Sequence, residues 1–292
     1  MPRQITAAHH SHIGPRERNE DCAGIATPDE QQVIARGVIA AIADGVSGHE
    51  GGREAAEYCV HSLLADYYTL AANAPTSAIS NSLSNASVST AARASVTDRL
   101  DQAIRQIHRG LLQQAAPEST HSSMACTLTV LVLHEHTYYF SHIGDSRLYL
   151  LRQGKLRCLT TDHVSDLPGM RHVLTRAMGL DADLLIDHGK GELEADDIFL
   201  LATDGLWGAL AEEDIQWHLS TLADQPSNAA YTAKLLVDAA LAADTTDNAT
   251  ALVVRAGEPS KPRRHDPLRF WKLLGAAAVL LNLLLLYWLT RE

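Results

Sequence analysis

The chain has no pair of closely spaced cysteines. Its four, Cys22, Cys59, Cys126 and Cys158, lie far apart in 292 residues and form no C-x-x-C unit. That spacing offers neither a disulfide framework nor a zinc ribbon, and it fits a reducing compartment. Positive charge is also scarce: 24 Lys and Arg stand against 35 Asp and Glu, for a net charge of -11. General nucleic-acid binding needs a basic surface and is excluded. Met1 to Ala8 lacks the apolar core of a secretory signal. There is no G-x-x-x-x-G-K-[ST] loop for nucleotide triphosphates. Ser47, in Gly45-Val46-Ser47-Gly48-His49, misses the nucleophile elbow at its last position. His49-Glu50 has no second His three residues on, so it is no H-E-x-x-H zinc site. With 18 Gly, 10 Pro and 46% hydrophobic residues, the chain is neither collagen-like nor of low complexity. It has the composition of one large globular domain or two small ones.

What is present is divided unevenly. Residues 261–292 hold six basic residues and two acidic ones, a balance of +4, whereas the first 260 hold 18 and 33, a balance of -15. From Leu273 to Thr290 there are 18 residues without a charge, mostly Leu and Ala. As a helix they span roughly 27 Å, close to the roughly 30 Å hydrocarbon core. Trp271, Tyr287 and Trp288 stand at interfacial positions, and the basic residues precede the run. The expectation is a transmembrane helix over 271–290 and a basic, Pro-containing linker over 256–270. The body, 1–255, then lies on the cytoplasmic face of a membrane; the competing reading is a buried C-terminal helix. Residues 71–97, rich in Ala, Ser, Asn and Thr, read as a connection between helices at 53–70 and 98–115.

The body repeats one local pattern, an apolar run followed by a turn that carries Asp. Residues 38–43 lead into Asp44-Gly45, 198–203 into Asp204-Gly205, and 138–143 into Gly144-Asp145. Asp247-Asn248 precedes a further run at 249–254. Short runs of this kind read as buried strands, so four carboxylates stand at strand ends and can converge on one rim. At any single site Asp-Gly is also ordinary turn chemistry. Bare carboxylates that converge repel one another unless cations are present, and hard oxygen donors suit Mg²⁺ or Mn²⁺.

These residues resemble a known family, the metal-dependent type 2C protein serine/threonine phosphatases. The similarity runs in order through Arg16-Glu17-Arg18-Asn19-Glu20-Asp21, then Asp44-Gly45 to Gly52, then Ala125-Cys126-Thr127. It continues through Gly144-Asp145-Ser146-Arg147, Leu159 to His163 and Leu174 to Gly179, and ends with Thr203 to Trp207 and Asp247 to Thr250. The resemblance implies a four-layer α/β/β/α sandwich, an α+β fold of two mainly antiparallel sheets flanked by helix pairs. It implies two Mn²⁺ or Mg²⁺ ions: Asp44 bridges them, the Gly45 carbonyl binds the second, and Asp204 and Asp247 complete the first site. Glu20 supports the second ion, Asp21 lies behind the ligands, and Asp145 with Asp204 forms a third, weaker site. Arg16 grips the substrate phosphate, surface pairing with Glu20 being the plainer alternative. The activity implied is hydrolysis of phosphoserine and phosphothreonine by a metal-bridging hydroxide, on protein substrates of a Ser/Thr kinase. Two alternatives stay open, a non-catalytic phosphoprotein-binding scaffold and a stress-response switch phosphatase acting on an anti-sigma-factor antagonist.

The sequence departs from the family pattern in two places. Val46 stands where many eukaryotic members carry His, which leaves His49 or water as the proton donor. Only ten residues, Val164 to Val173, fill a flap that is usually longer, and a more open site is expected. His9, His10 and His12 alternate along an expected first strand in a way that suits structural or solvent-facing roles.

Overall fold

The computed structural model describes residues 3–26, 29–46, 51–69, 95–115, 124–167, 169–170, 173–224 and 228–259. The region from Ser260 onward, with the expected membrane helix and most of the linker, lies outside them, as do His49 and residues 70–94. No helix among the described residues is long and apolar enough to cross a membrane.

Among the described residues, ten strands form two five-stranded sheets in which every pairing is antiparallel. One sheet holds β1 (Arg3–His12), β10 (Ala249–Pro259), β9 (Ile198–Ala202), β6 (Arg147–Arg152) and β7 (Lys155–Cys158), in that order. The other holds β2 (Asp21–Ile25), β3 (Val38–Asp44), β4 (Leu128–His134), β5 (Thr137–Ile143) and β8 (Asp187–Glu192). β10 runs through Pro259, past residue 255 where the body was expected to end.

Period-two alternation sorts each strand's side chains into layers. Ala40, Ile42, Leu131 and Leu133 meet Leu148, Leu150, Phe199 and Leu252 between the sheets. Their neighbours Ile39, Ala41, Val130 and Val132 face the other way, onto α2 (Gly52–Asp66) and α3 (Val96–Gln114). On the far side Leu200, Ala202, Ala251 and Val253 pack on α5 (Glu212–Asp224) and α6 (Ala229–Ala242). The order is helix, sheet, sheet, helix. Strands buried on both faces have no polar alternation, which is why 38–43 and 249–254 read as unbroken apolar runs. Two short helices, α1 (Glu30–Arg36) and α4 (Asp204–Trp207), complete the fold. The start of α3 is fixed by a capping box, Ser95 and Asp98 each accepting from the other's backbone N–H.

Antiparallel register carries the carboxylate turns to one end of the sandwich. Asp21 at the start of β2 pairs with Asp44 at the end of β3. Ala202 at the end of β9 lies between Arg147 at the start of β6 and Ala251 near the start of β10. Asp145, Asp204 and Asp247 therefore leave one sheet beside the point where Asp44 leaves the other.

Candidate active site

A cavity of about 480 Å³ opens at that end. Arg16, Asp44, Gly45, Asp145, Asp204 and Asp247 all line it. Glu20 stands beside the cavity rather than in its wall, half-buried, with its backbone N–H donating to Asn248 Oδ1 at 2.8 Å.

The turns at Asp44, Asp145 and Asp247 are each held by hydrogen bonds with distant parts of the chain. The Asp44 N–H donates to Thr127 Oγ1 at 2.9 Å, and the Thr127 N–H returns to the Asp44 carbonyl at 2.8 Å. Gly45 lies so close to the backbone of Gly52 that a Cβ there would collide with it. The first turn of α2 is thereby seated against the Asp44 turn. Asp145 follows Gly144, whose φ of 104° suits glycine alone. His163 braces that turn: its Nδ1 accepts from the Gly144 N–H at 3.1 Å, and its own N–H donates to the Gly144 carbonyl at 2.8 Å. The Asp145 carbonyl accepts from Trp207 Nε1 at 3.1 Å. Arg147 stacks 3.5 Å over the Trp207 ring and forks onto Asp162, with contacts of 3.0 and 2.7 Å. Arg16 hydrogen-bonds the Thr246 carbonyl and ion-pairs with Asp247. Its partner is thus Asp247, and the surface pairing with Glu20 raised by the sequence is not the arrangement seen.

The electrostatics are those of a crowded acidic floor. Burial, then the charges of Asp21, Asp204 and Asp145, push the Asp44 carboxyl well above the ordinary range. Asp145 is pushed up to about 7 by burial and then by Asp204. Asp204 is raised by burial and by Asp247, with a hydrogen bond from Asp44 opposing. Glu20 is raised by burial and by Asp247, while Arg16 and Arg18 pull it back. Behind them Asp21 is raised by burial, although the hydroxyls of Thr250 and Thr203 both donate to its Oδ2, at 2.6 and 2.8 Å. Asp21 Oδ1 and Asp204 Oδ1 are buried without a hydrogen-bond partner.

A hard divalent cation fits this donor set. It removes the mutual repulsion that raises these carboxyls, and it gives an orphaned Asp204 oxygen a partner. Among the described residues, no three His, Cys, Asp or Glu side chains close into a cage of their own. Mg²⁺ and Mn²⁺ need none, because they keep several waters and take one or two carboxylates. Among the described residues, no sulfur or imidazole lines the cavity to favour a softer metal.

The chain matches the family described as protein phosphatase 2C over residues 9–243. It belongs to that family. A serine/threonine phosphatase of Listeria innocua is 26% identical over 216 residues, covering 69% of this chain and 77% of that protein. The fold is shared with PppA, a key regulatory component of T6SS in Pseudomonas aeruginosa. There the TM-score is 0.67 at 26% identity, over 87% of this chain and 99% of that one. The catalytic domain of a serine/threonine protein phosphatase PstP, solved in complex with two manganese ions, gives a TM-score of 0.65 at 25% identity over 87% of this chain and 99% of that one. The chain is a protein serine/threonine phosphatase of the 2C type, metal-dependent as the family is, and its substrates are phosphoproteins.

Thr127, Val173, Leu174, Ala177 and Leu180 also line the cavity, and the sequence reading gave them no role. Thr127 stands in a matched motif and could have been singled out. Val173 and Leu180 carry no signal of their own, being placed by the path of the short flap.

Proposed function

We propose that the chain hydrolyses phosphoserine and phosphothreonine on proteins with two divalent cations, Mn²⁺ or Mg²⁺, held at the acidic floor. The observation that carries this is the convergence of Asp44, Asp145, Asp204 and Asp247 with Arg16 around one cavity. Asp44, Asp204 and Asp247 would hold the ions, with the Gly45 carbonyl and Glu20 beside the second and Asp145 at a weaker third position. When bound, such ions lower the pKa of water and neutralise phosphate charge. Arg16, planar and permanently charged, orients the phosphate from the rim beside Asp247. Thr127, His163 and Trp207 keep the carboxylate turns in place through their hydrogen bonds to the backbone around Asp44 and Asp145. Proton delivery to the leaving group falls to His49 or water.

The test is hydrolysis of a phosphothreonine peptide by the full chain with Mn²⁺ and with chelator. Turnover should depend on metal, and Asp44→Asn or Asp204→Asn should lower it by at least about a hundredfold, as loss of one transition-state contact does. Equal rates in chelator would end the metal reading. Phosphopeptide binding without turnover would favour the scaffold.

We also propose, from the sequence, that residues 271–290 tether the domain to a membrane, with the catalytic body on the cytoplasmic side. Fractionation of cells that express the full chain should place it with membranes, and deletion of 271–290 should release it. A full chain recovered without membranes would remove the tether.

A further inference from the structure

The catalytic cavity has two unlike halves. Besides the acidic floor, the cavity is lined by Val173, Leu174, Ala177 and Leu180, on the segment that closes the short flap. That segment is tied down by backbone bonds, Ser165 N–H to the Val173 carbonyl at 2.9 Å and Thr175 N–H to the His163 carbonyl at 2.8 Å. Of the apolar side chains on this wall, Val173 is 38% exposed and Leu180 45%, while Leu174 is half-buried and Ala177 buried. Arg176, which interrupts the run, is committed to Asp187 at 2.9 Å and does not line the cavity.

We infer that this wall receives an apolar side chain next to the phosphorylated residue, so that the enzyme prefers phosphothreonine or phosphoserine flanked by aliphatic residues. The inference rests on the phosphatase reading above and names its substrate class. With the phosphate at the cation-holding floor beside Arg16, the neighbouring residues of an extended peptide come against the other half of the same cavity. About 480 Å³ is more than one phosphorylated side chain fills. A carboxylate or an ammonium seated there would lose its water to uncharged carbon. An aliphatic group covers carbon that is otherwise wet.

The experiment compares phosphothreonine peptides that differ only in the residues on either side of phosphothreonine: Leu, Ser, Glu or Lys. It uses the full chain with Mn²⁺. The Leu peptide should show kcat/KM about tenfold above the Ser peptide, the low end of what a hydrophobic pocket discriminates, mostly through KM. In Leu180→Ser and Val173→Ser that ratio should fall towards one. A ratio is insensitive to how much of a variant is folded, and both positions are exposed enough to accept Ser. Equal kcat/KM for the Leu and Ser peptides, or preference for Glu or Lys, overturns the inference and leaves the phosphatase reading standing. No hydrolysis of any peptide overturns both.

Discussion

Asn248 engages both its amide hydrogens and its oxygen at one spot. Its Nδ2 donates to the Ile13 and Arg18 carbonyls, at 2.7 and 2.9 Å, and its Oδ1 accepts from Glu20 N–H. The loop that carries Arg16 is therefore pinned from the far end of the chain. Asn248→Asp loses the donors and sets a carboxylate against two carbonyls. It should cost about 1–3 kcal/mol, the usual penalty for stranded buried partners, seen as a lower Tm, and it should raise KM for phosphopeptides as Arg16 loses its support. An unchanged KM would separate Asn248 from the phosphate grip. At this scale the sequence was legible where a residue's chemistry is local: Asp44, Asp145, Asp204 and Asp247 each follow or precede a readable apolar run. It was illegible for Thr203 and Thr250, whose clamp on Asp21 joins residues 182 and 229 positions away. Isolated threonines give no sign of such a partner.

Arg147, at the start of β6, connects three elements. It forks onto Asp162 beyond β7, stacks on Trp207 of α4, and donates to Tyr149 of its own strand at 3.1 Å. Because Trp207 holds the Asp145 carbonyl and α4 begins at Asp204, this stack sets the relative position of two turns of the proposed metal site. Arg147→Lys keeps the charge but loses the planar fork and the stack. The half-maximal Mn²⁺ concentration should rise by about tenfold or more, in the range seen when groups behind metal ligands are changed, with a modest fall in Tm. Unchanged metal dependence would make the stack purely structural. Among elements, β3, β5, β9 and β10 were legible as apolar runs, and α2 and α3 fell close to 53–70 and 98–115. β8, Asp-His-Gly-Lys-Gly-Glu, was not. It is a polar, glycine-bearing edge strand held by pairing to β5, and nothing in its side chains alternates.

For the molecule as a whole, the acidic floor couples stability to pH. Asp44, Asp145 and Asp204 have folded-state pKa values above the ordinary one, with Asp145 near 7. Each contribution is fully present below about pH 4 and is lost as pH rises through that group's own folded-state value, about 7 for Asp145. His142 acts in the opposite sense. Burial and the nearby His163 push its pKa down to about 4, so its contribution is lost as pH falls from about 6.5 towards that value. Cations bear on the first set alone. The Tm gain on adding Mn²⁺ to chelator-treated protein should therefore be larger at about pH 7.5 than at about pH 5.5. Equal gains would mean that the carboxyls are not raised by one another. The layered architecture was legible through family resemblance, whereas the open apolar half of the cavity was not, because it depends on where a short flap comes to rest.

The first strand of the domain lies beside the last. β1 runs antiparallel to β10 from Arg3 to His12, and Arg16 finds its hydrogen-bonding partners 230 and 231 residues further on. During synthesis the N-terminal strand must wait for nearly the whole domain before it has a neighbour, and contacts of such sequence separation form late. A nascent chain therefore does not hold Arg16 in its proposed phosphate-orienting place until its last strand has left the ribosome. Activity should appear as a step rather than grow with length. Proteolysis anywhere between Thr245 and the end of β10 would act as an irreversible off switch, removing Asp247 or the strand that holds it in register.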